Sequence, residues 1–496
     1  MAVGLQRATI FAIKEEVTAG EYVKPDSGTQ FVPLRPGNSL SFSAEQLESD
    51  ELLNDIGSAK SFVGKESSEG SHSAYLRHSG VEGQEPQLGL MYVSIMGDKA
   101  FNPTEYASVA GSNSVKVTVS NGANFYPGQA LLIKSGAGYQ IRNIKEISGN
   151  DLILNFEAAN STSGLNLGKA VTYLPVAQGH PTFSATKYLG SGYAIEAAAG
   201  NTVTELSLTA DANGFGEVEF TYAGTKYFFN PIDTDGGTYI DFTDDDGTFA
   251  ASIADKIYKT PVELADALAA AMMVASPGQT YSVKYDKGDG TFTIGTSTSA
   301  VFEILWDSGV NAASSIGSVL GYNVGSDLLG QTAYTSPNEL DLSSPIAPIY
   351  DSADAIIIKG AELFIGNQED NVCVCAQSVS LTISKEVEDV DCICEENGVK
   401  EKIAVSRSVE MSVTAVLNKH DATLLDALLK NSGISAMLNA GPKTGGNWIP
   451  GKCFNVCLAN CTVSSYATTG DSFIQAEITL KGFVTSTQKD VYLNFV

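Results

Sequence analysis

A mostly β fold is what the sequence predicts, and three observations carry that expectation. Runs with period-two apolar spacing recur along the chain, such as Leu40, Phe42 and Ala44, the alternation that lays one face of a strand on a core. Glycine is abundant, 48 residues against 16 prolines, and it falls beside Asn at Asn121-Gly122 and Asn213-Gly214, which is the chemistry of tight turns between strands. Third, one order of elements occurs twice. Residues 39–97, SLSFSAEQLESDELLNDIGSAKSFVGKESSEGSHSAYLRHSGVEGQEPQLGLMYVSIMG, read as a strand, an acidic loop (Glu45, Glu48, Asp50, Glu51, Asp55), strand-like pieces at 61–64 and 71–77, and a helix after Pro86 that stops at Gly97. From residue 378, SVSLTISKEVEDVDCICEENGVKEKIAVSRSVEMSVTAVLNKHDATLLDALLKNSG repeats the order, with its own acidic loop at 386–396 (Glu386, Glu388, Asp389, Asp391).

In chain order, residues 1–38 hold one apolar run, 8–13, followed by Pro25, Pro33 and Pro36; they read as an arm containing a strand, laid on a neighbour. After the first unit come strands at 114–120, 130–134, 151–156 and 170–174. Residues 193–225 read as two antiparallel strands joined at Asn213-Gly214, and residues 454–484 repeat that layout. Their returning strands alternate through Val218, Phe220 and Tyr222 in one and Ile474, Ala476, Ile478 and Leu480 in the other. The duplication thus covers two parts of each half. Between the halves, residues 226–345 differ in character. Thr260 and Glu263 form a T-x-x-E capping box with Pro261 at the first helical position, so ELADALAAAMM is expected to be helical. A hairpin follows, 280–285 and 291–296 turned through DKGDG. This insert reads as a small α+β domain at the outside.

A chain of 496 residues is long enough for about three domains with cores of their own. Net charge is −27, spread along the chain, and no region carries the basic stripe that phosphate binding requires. Acidity of this kind repels DNA and keeps a protein soluble. Apolar runs such as 355–358 are far too short to cross a bilayer. The start, MAVGLQRATIFAIKEE, has no apolar signal core, so synthesis in a cytoplasm is expected. All seven cysteines, Cys373, Cys375, Cys392, Cys394, Cys453, Cys457 and Cys461, lie in the last third. An odd number without a secretion signal favours free thiols. Two C-x-C pairs could supply four thiolates to zinc, but spacing of two on a strand also makes Cys a small hydrophobe, and no metal is assigned.

No catalytic or cofactor site stands out. DTDGGTYIDFTDDDG (233–247) clusters the carboxylates that calcium prefers, yet lacks the spacing of a calcium loop; Asp-Gly turns explain it. FVGKES (62–67) has its glycines misplaced for a phosphate loop and Glu66 where Ser or Thr is needed. GAGYQI (136–141) lacks the third glycine of a dinucleotide fingerprint. The four histidines, His72, His78, His180 and His420, show no catalytic spacing, and His420 precedes a helix capped by Asp421. A pair of glycosidase carboxylates cannot be picked out among 57 acids.

The order of SLSF, an acidic stretch with LESDEL, strands around FVGKES and SHSAYL, and a helix closed by Gly resembles the tail tube proteins of long-tailed bacteriophages. LESDELLNDIGSAKSFVGKESSEGS (47–71) is the most specific part, and YDSADAIIIKGAELFIGN (350–367) looks like the start of a second tube fold. The resemblance covers residues 1–225 and 346–496. It implies two similar β-sandwich or barrel folds, each with a flanking α-helix: 1–225 with its arm, 346–496, and the inserted domain 226–345 outside. Such folds sit six to a ring, and rings stack into a hollow tube through which DNA passes. A duplicated chain then implies a trimeric ring with pseudo-sixfold symmetry, a hexamer being the alternative. Implied partners are the chain itself, tape-measure and tail-tip or terminator proteins; DNA passes without specific binding, no membrane and no cofactor take part, and the place is the virion tail, assembled in a bacterial cytoplasm. Glu45, Glu48, Asp50, Glu51, Asp55, Glu386, Glu388, Asp389 and Asp391 become candidates for the lumen or for contacts between rings. The expected function is structural and not enzymatic, against a receptor-binding adhesin or a carbohydrate-active enzyme.

Overall fold

The computed structural model describes residues 6–49, 60–136, 138–159, 163–190, 192, 194–342, 345–368, 371–395, 397–416, 430, 433–469 and 474–496. Two compact units emerge. Ile10–Thr186, Ala198–Tyr227 and Ile346–Val496 form the larger, while Lys187–Ala197 and Phe228–Pro345 form the smaller with the described residues before Ile10. The fold is mostly β, with two α-helices among the described residues.

The larger unit is organised by strands β1 (Ser39–Leu47) and β2 (Phe62–Tyr75), helix α1 (Gly89–Met96), then β3 (Gly97–Asn102), β4 (Ala170–Pro175), β5 (Ala194–Asp211, whose first four residues fall in the smaller unit), β6 (Gly216–Gly224), β7 (Ala376–Asp391), β8 (Val399–Val416), β9 (Ile434–Ala440), β10 (Phe454–Thr469), β11 (Gln475–Gly482) and β12 (Tyr492–Phe495). Antiparallel pairing runs β1, β2, β6, β5, β7, β8, β11, β10. The last four strands repeat the order of the first four. In each set the second strand of one hairpin pairs with the second strand of the other.

Register and bulges repeat as well. A register shift follows Val203 in β5 and Val463 in β10, and these residues face Tyr222 and Leu480. Tyr222 faces Gly70, which faces Leu40; Leu480 faces Met411, which faces Leu381. With that correspondence the sequences align: SLSF (39–42) with SLTI (380–383), GSHSAY (70–75) with MSVTAV (411–416), and VEFTYAG (218–224) with AEITLKG (476–482). The strand Ile10–Glu15 pairs with Phe31–Val32 and with Phe183–Leu189, as Glu362–Gly366 pairs with Asn371–Cys373 and with β9. The chain halves therefore share one continuous sheet across β5 and β7, and both lie in the larger unit.

Period-two alternation builds this sheet. Leu206 and Leu208, Leu381 and Ile383, Met411 and Val413, Ile478 and Leu480 are buried on one side, a row of about 2 kcal/mol per fully buried aliphatic side chain. Helix α1 lies within that core with seven of its eight residues buried; it is apolar on every side, the pattern of a helix without a solvent face. Gly97 ends it at φ 99°, its N–H bonded to Val93 O, a left-handed cap open to glycine. Tyr92 packs its ring 5.2 to 5.3 Å from those of Tyr173, Phe220 and Phe495, so both halves meet on one helix. A separate six-stranded sheet occupies part of residues 106–167 and has its own core around Val117, Leu131, Ile133 and Leu152.

Several expectations change. The pieces expected at 61–64 and 71–77 are one strand, β2. The acidic stretch at 386–391 is strand, not loop: β7 pairs with β8 as far as Asp391 opposite Val399. Its charges sit there because cross-strand and neighbouring lysines accept them, which residue type alone does not reveal. The helix expected after His420, and the acids Asp50, Glu51 and Asp55, lie outside the described residues.

In the smaller unit, helix α2 (Pro261–Ala275) packs Leu264, Leu268 and Met272 into a core with Phe242, Phe292 and Trp306. The hairpin expected beside it spans Tyr281–Asp286 and Thr291–Thr296. Thr260 Oγ1 accepts the Glu263 N–H at 3.1 Å, while the Glu263 carboxylate accepts the Lys259 N–H at 2.8 Å. The box thus closes one residue early. Thr260→Ala should lower this unit's stability by about 1 kcal/mol, read by urea unfolding.

Candidate functional site: the polar face of the eight-strand sheet

Opposite the buried side, the same strands present hydroxyls and carboxylates. One row crosses seven strands in register: Ser73, Glu219, Ser207, Thr382, Glu410, Lys481, Thr462. The next reads Tyr75, Glu217, Thr209, Ser380, Ser412, Thr479, Ser465, and a third Ser39, Ser71, Thr221, Glu205, Ser384, Ser408. In these rows Lys481 is the only basic residue. The acids repeat with the fold: Glu69 corresponds to Glu410 and Glu219 to Glu477, and all four are exposed. Short side chains with one hydroxyl make a flat polar surface, and serine and threonine on a strand cost little when they face water. Arg35 is held at the margin by Glu217, 2.6 Å away, with its guanidinium over the Tyr75 ring.

The acids singled out in sequence divide into two groups. Glu45 and Glu386 are exposed on β1 and β7, Glu48 just beyond β1, and Glu388 exposed on β7; Glu386 accepts the Ser406 hydroxyl at 2.7 Å. Asp389 and Asp391 are instead engaged within the chain. Lys65 reaches both, at 2.6 and 2.9 Å, and Lys402 lies 2.5 Å from Asp389. Burial raises the Asp389 pKa, but the hydrogen bonds from Lys402 and Lys65 outweigh it and hold the carboxyl below its ordinary range. The strand-borne acids Glu69, Glu219, Glu410 and Glu477 belong to no charge run, so a search for runs passes over them; the signal was Glu at the same place in both copies, E-x-S at 69 and 410 and E-x-T before Gly at 219 and 477.

Other candidate chemistry is engaged in structure. In 233–247, the Asp241 carboxylate accepts the backbone and amide N–H groups of Asn311, at 2.6 and 2.8 Å, and Asp245 accepts Ala300 and Val301 N–H. Asp244 accepts Asp246 and Gly247 N–H and the Tyr281 hydroxyl. Among the described residues no three His, Cys, Asp or Glu side chains are grouped to hold a metal. Burial pulls His72 and His78 down to about 4, neutral imidazoles in a core. Cys453, Cys457 and Cys461 are buried, whereas Cys375 and Cys394 are exposed.

One buried group has no carboxylate opposite it. Lys385 of β7 is 4% exposed, and its Nζ donates to Ser94 O at 2.6 Å and Thr202 Oγ1 at 2.7 Å. Ser94 lies in the last turn of α1, whose free carbonyls and dipole favour a cation. His180 Nδ1 is 3.1 Å from the same carbonyl. Burial, with Arg407 across the rung adding like charge, lowers the Lys385 pKa to about 7. Arg407 itself is paired to Asp490 at 2.8 Å.

No family model and no curated protein matches the chain. Among solved structures it is similar to a chain of the virion of a native gene transfer agent particle, at 14% identity over 27% of this chain and 95% of that one, with a TM-score of 0.19. It is also similar to a selenomethionine-labelled mavirus penton protein, at 10% identity over 60% of this chain and 84% of that one, again at 0.19. At these TM-scores the likeness carries no conclusion about function.

Proposed function

We propose that the chain is a structural, self-assembling virion protein, and within that class a tail tube subunit that conducts DNA without catalysis. The observation that carries the reading is the seam inside the chain. There the outer strand of one four-strand set, β5, pairs with the first strand of the next, β7, over Glu205–Asp211 against Ser378–Ser384. The corresponding outer edges are open: among the described strands β1 pairs with β2 alone, and β10 beyond Cys461 pairs with β11 alone. An open strand edge is an assembly template. Repeating the seam between these edges joins chains head to tail, a heterologous contact that closes into a ring when the step fits. Three chains supply six sets, which favours the trimer over the hexamer.

The polar face gives such a ring its purpose. A surface of hydroxyls and carboxylates with few cations offers phosphate no counterion and leaves DNA free to move. Glu69, Glu219, Glu410 and Glu477 join the acids of 45–55 and 386–396 as candidates to line a lumen or meet the next ring; within the chain, Asp389 and Asp391 also tie hairpins together through Lys65. Negative-stain electron microscopy of the purified protein tests the reading. Rings or tubes with a central hole, a six-part outline and three chains per ring are expected; a monomer at every concentration, with tail-tip protein present, overturns it.

A further inference from the structure

The fold correspondence assigns a residue pair to the contact between chains. Inside the chain, Leu206 of β5 faces Ile383 of β7, and both are fully buried. The residue corresponding to Ile383 is Phe42, on the same side of β1 as buried Leu40, yet Phe42 is 49% exposed. The residue corresponding to Leu206 is Tyr466 in the open half of β10, packed against the core and only partly buried. One edge thus carries an aromatic ring whose centroid lies 6.0 Å from that of Tyr227 but which has no strand on its open side among the described residues, and the other edge carries a second ring open on the same terms.

We propose that Phe42 of one chain stacks on Tyr466 of the next, as the aromatic anchor of an antiparallel joint pairing residues 39–43 with 465–469. The pairing rests on the ring reading and names its register: Ser41 opposite Ala467 and Ser39 opposite Thr469, as Thr382 lies opposite Ser207 and Ser380 opposite Thr209. The occupant is a second copy of this chain because the complementary edge is on the chain itself, and its geometry is already realised once between β5 and β7. The joint also differs from the seam. Where β7 buries Lys385, β1 has Ala44, so the contact between chains carries no buried ammonium. Cross-strand aromatic pairs add to sheet stability and suit an interface formed by association, since rigid rings lose little freedom.

Two variants test this on the full chain. Ser41→Cys with Ala467→Cys should give interchain disulfides on oxidation, up to a closed trimer on a non-reducing gel, with neither single variant doing so; the single variants account for the native exposed thiols. Phe42→Ala should raise the concentration for half-assembly by at least about tenfold while the unassembled chain, which loses only the contact of Phe42 with Tyr227, stays folded. Rings that form normally with Phe42→Ala, or that yield no cross-link, place the joint elsewhere and overturn the pair while sparing the ring reading. Absence of rings from the unmodified protein overturns both.

Discussion

Replacing Glu69, Glu219, Glu410 and Glu477 by lysine is expected to convert tubes that let DNA pass into tubes that hold it. Each of the four is exposed on the polar face, so folding should change little, with a few tenths of a kcal/mol lost where the Glu410→Lys substitution places a second ammonium opposite Lys481. Binding should change greatly. Every lysine that reaches a phosphate releases a counterion and steepens the dependence of log K on log salt by about 0.9. Filter retention of short duplex DNA at about 50 mM salt should therefore appear in the variant, fade as salt rises through about 200 mM, and be absent from the parent protein. Retention by the parent, or none by the variant, would remove the polar face from the lumen.

The second large effect belongs to Lys385. A buried ammonium held by two neutral oxygens, Ser94 O and Thr202 Oγ1, with Arg407 across the rung, costs free energy that only deprotonation relieves. Its folded pKa, about 7, lies below the unfolded value of about 10.4. Between those values the unfolded chain binds more protons, so stability rises with pH; below about pH 7 the full cost is present and constant. From pH 7 to 8 the protein should gain about 1 kcal/mol from this group, in a window below the ionisation of its buried thiols and tyrosines, whose raised folded pKa values reverse the slope at higher pH. Lys385→Met should flatten that rise and add about 1 to 2 kcal/mol at pH 7, measured by urea unfolding at both pH values. An unaltered pH slope in the variant would show that the lysine is not the titrating group. Ser94 O keeps His180 at 3.1 Å, so the substitution strands no buried carbonyl.

Much of the local structure was legible beforehand. The α1 boundary came from apolar residues ending at Gly97, and the hairpin after α2 from alternation around DKGDG. The site was legible only in part. Charge runs drew attention to 45–55 and 386–396, but Asp389 and Asp391 turned out to be neutralised by Lys65 and Lys402. Lys65 is some three hundred positions away in sequence from its partners, and no spacing rule reaches that far. The single glutamates of the polar face were invisible to a search for clusters, although their recurrence in VEFTYAG and AEITLKG was present in the letters.

By itself the sequence determined the alternating strands and the two described helices, since alternation, Asn-Gly turns and caps act over a few residues and obey local sterics and burial; it did not determine the strand at 386–391, whose charges find their partners elsewhere in the chain. It also determined that the chain repeats and that it is acidic. Which strands neighbour which was decided only by the tertiary structure. A strand's edge hydrogen bonds are made by backbone groups common to all residues, so its sequence names its buried face but not its partner. The place of β5 beside β7, with Leu206 meeting Ile383 and Lys385 enclosed by α1, is fixed by packing two halves around one helix. That same packing leaves β1 and the end of β10 open, and turns a repeated strand pattern into two ends able to meet.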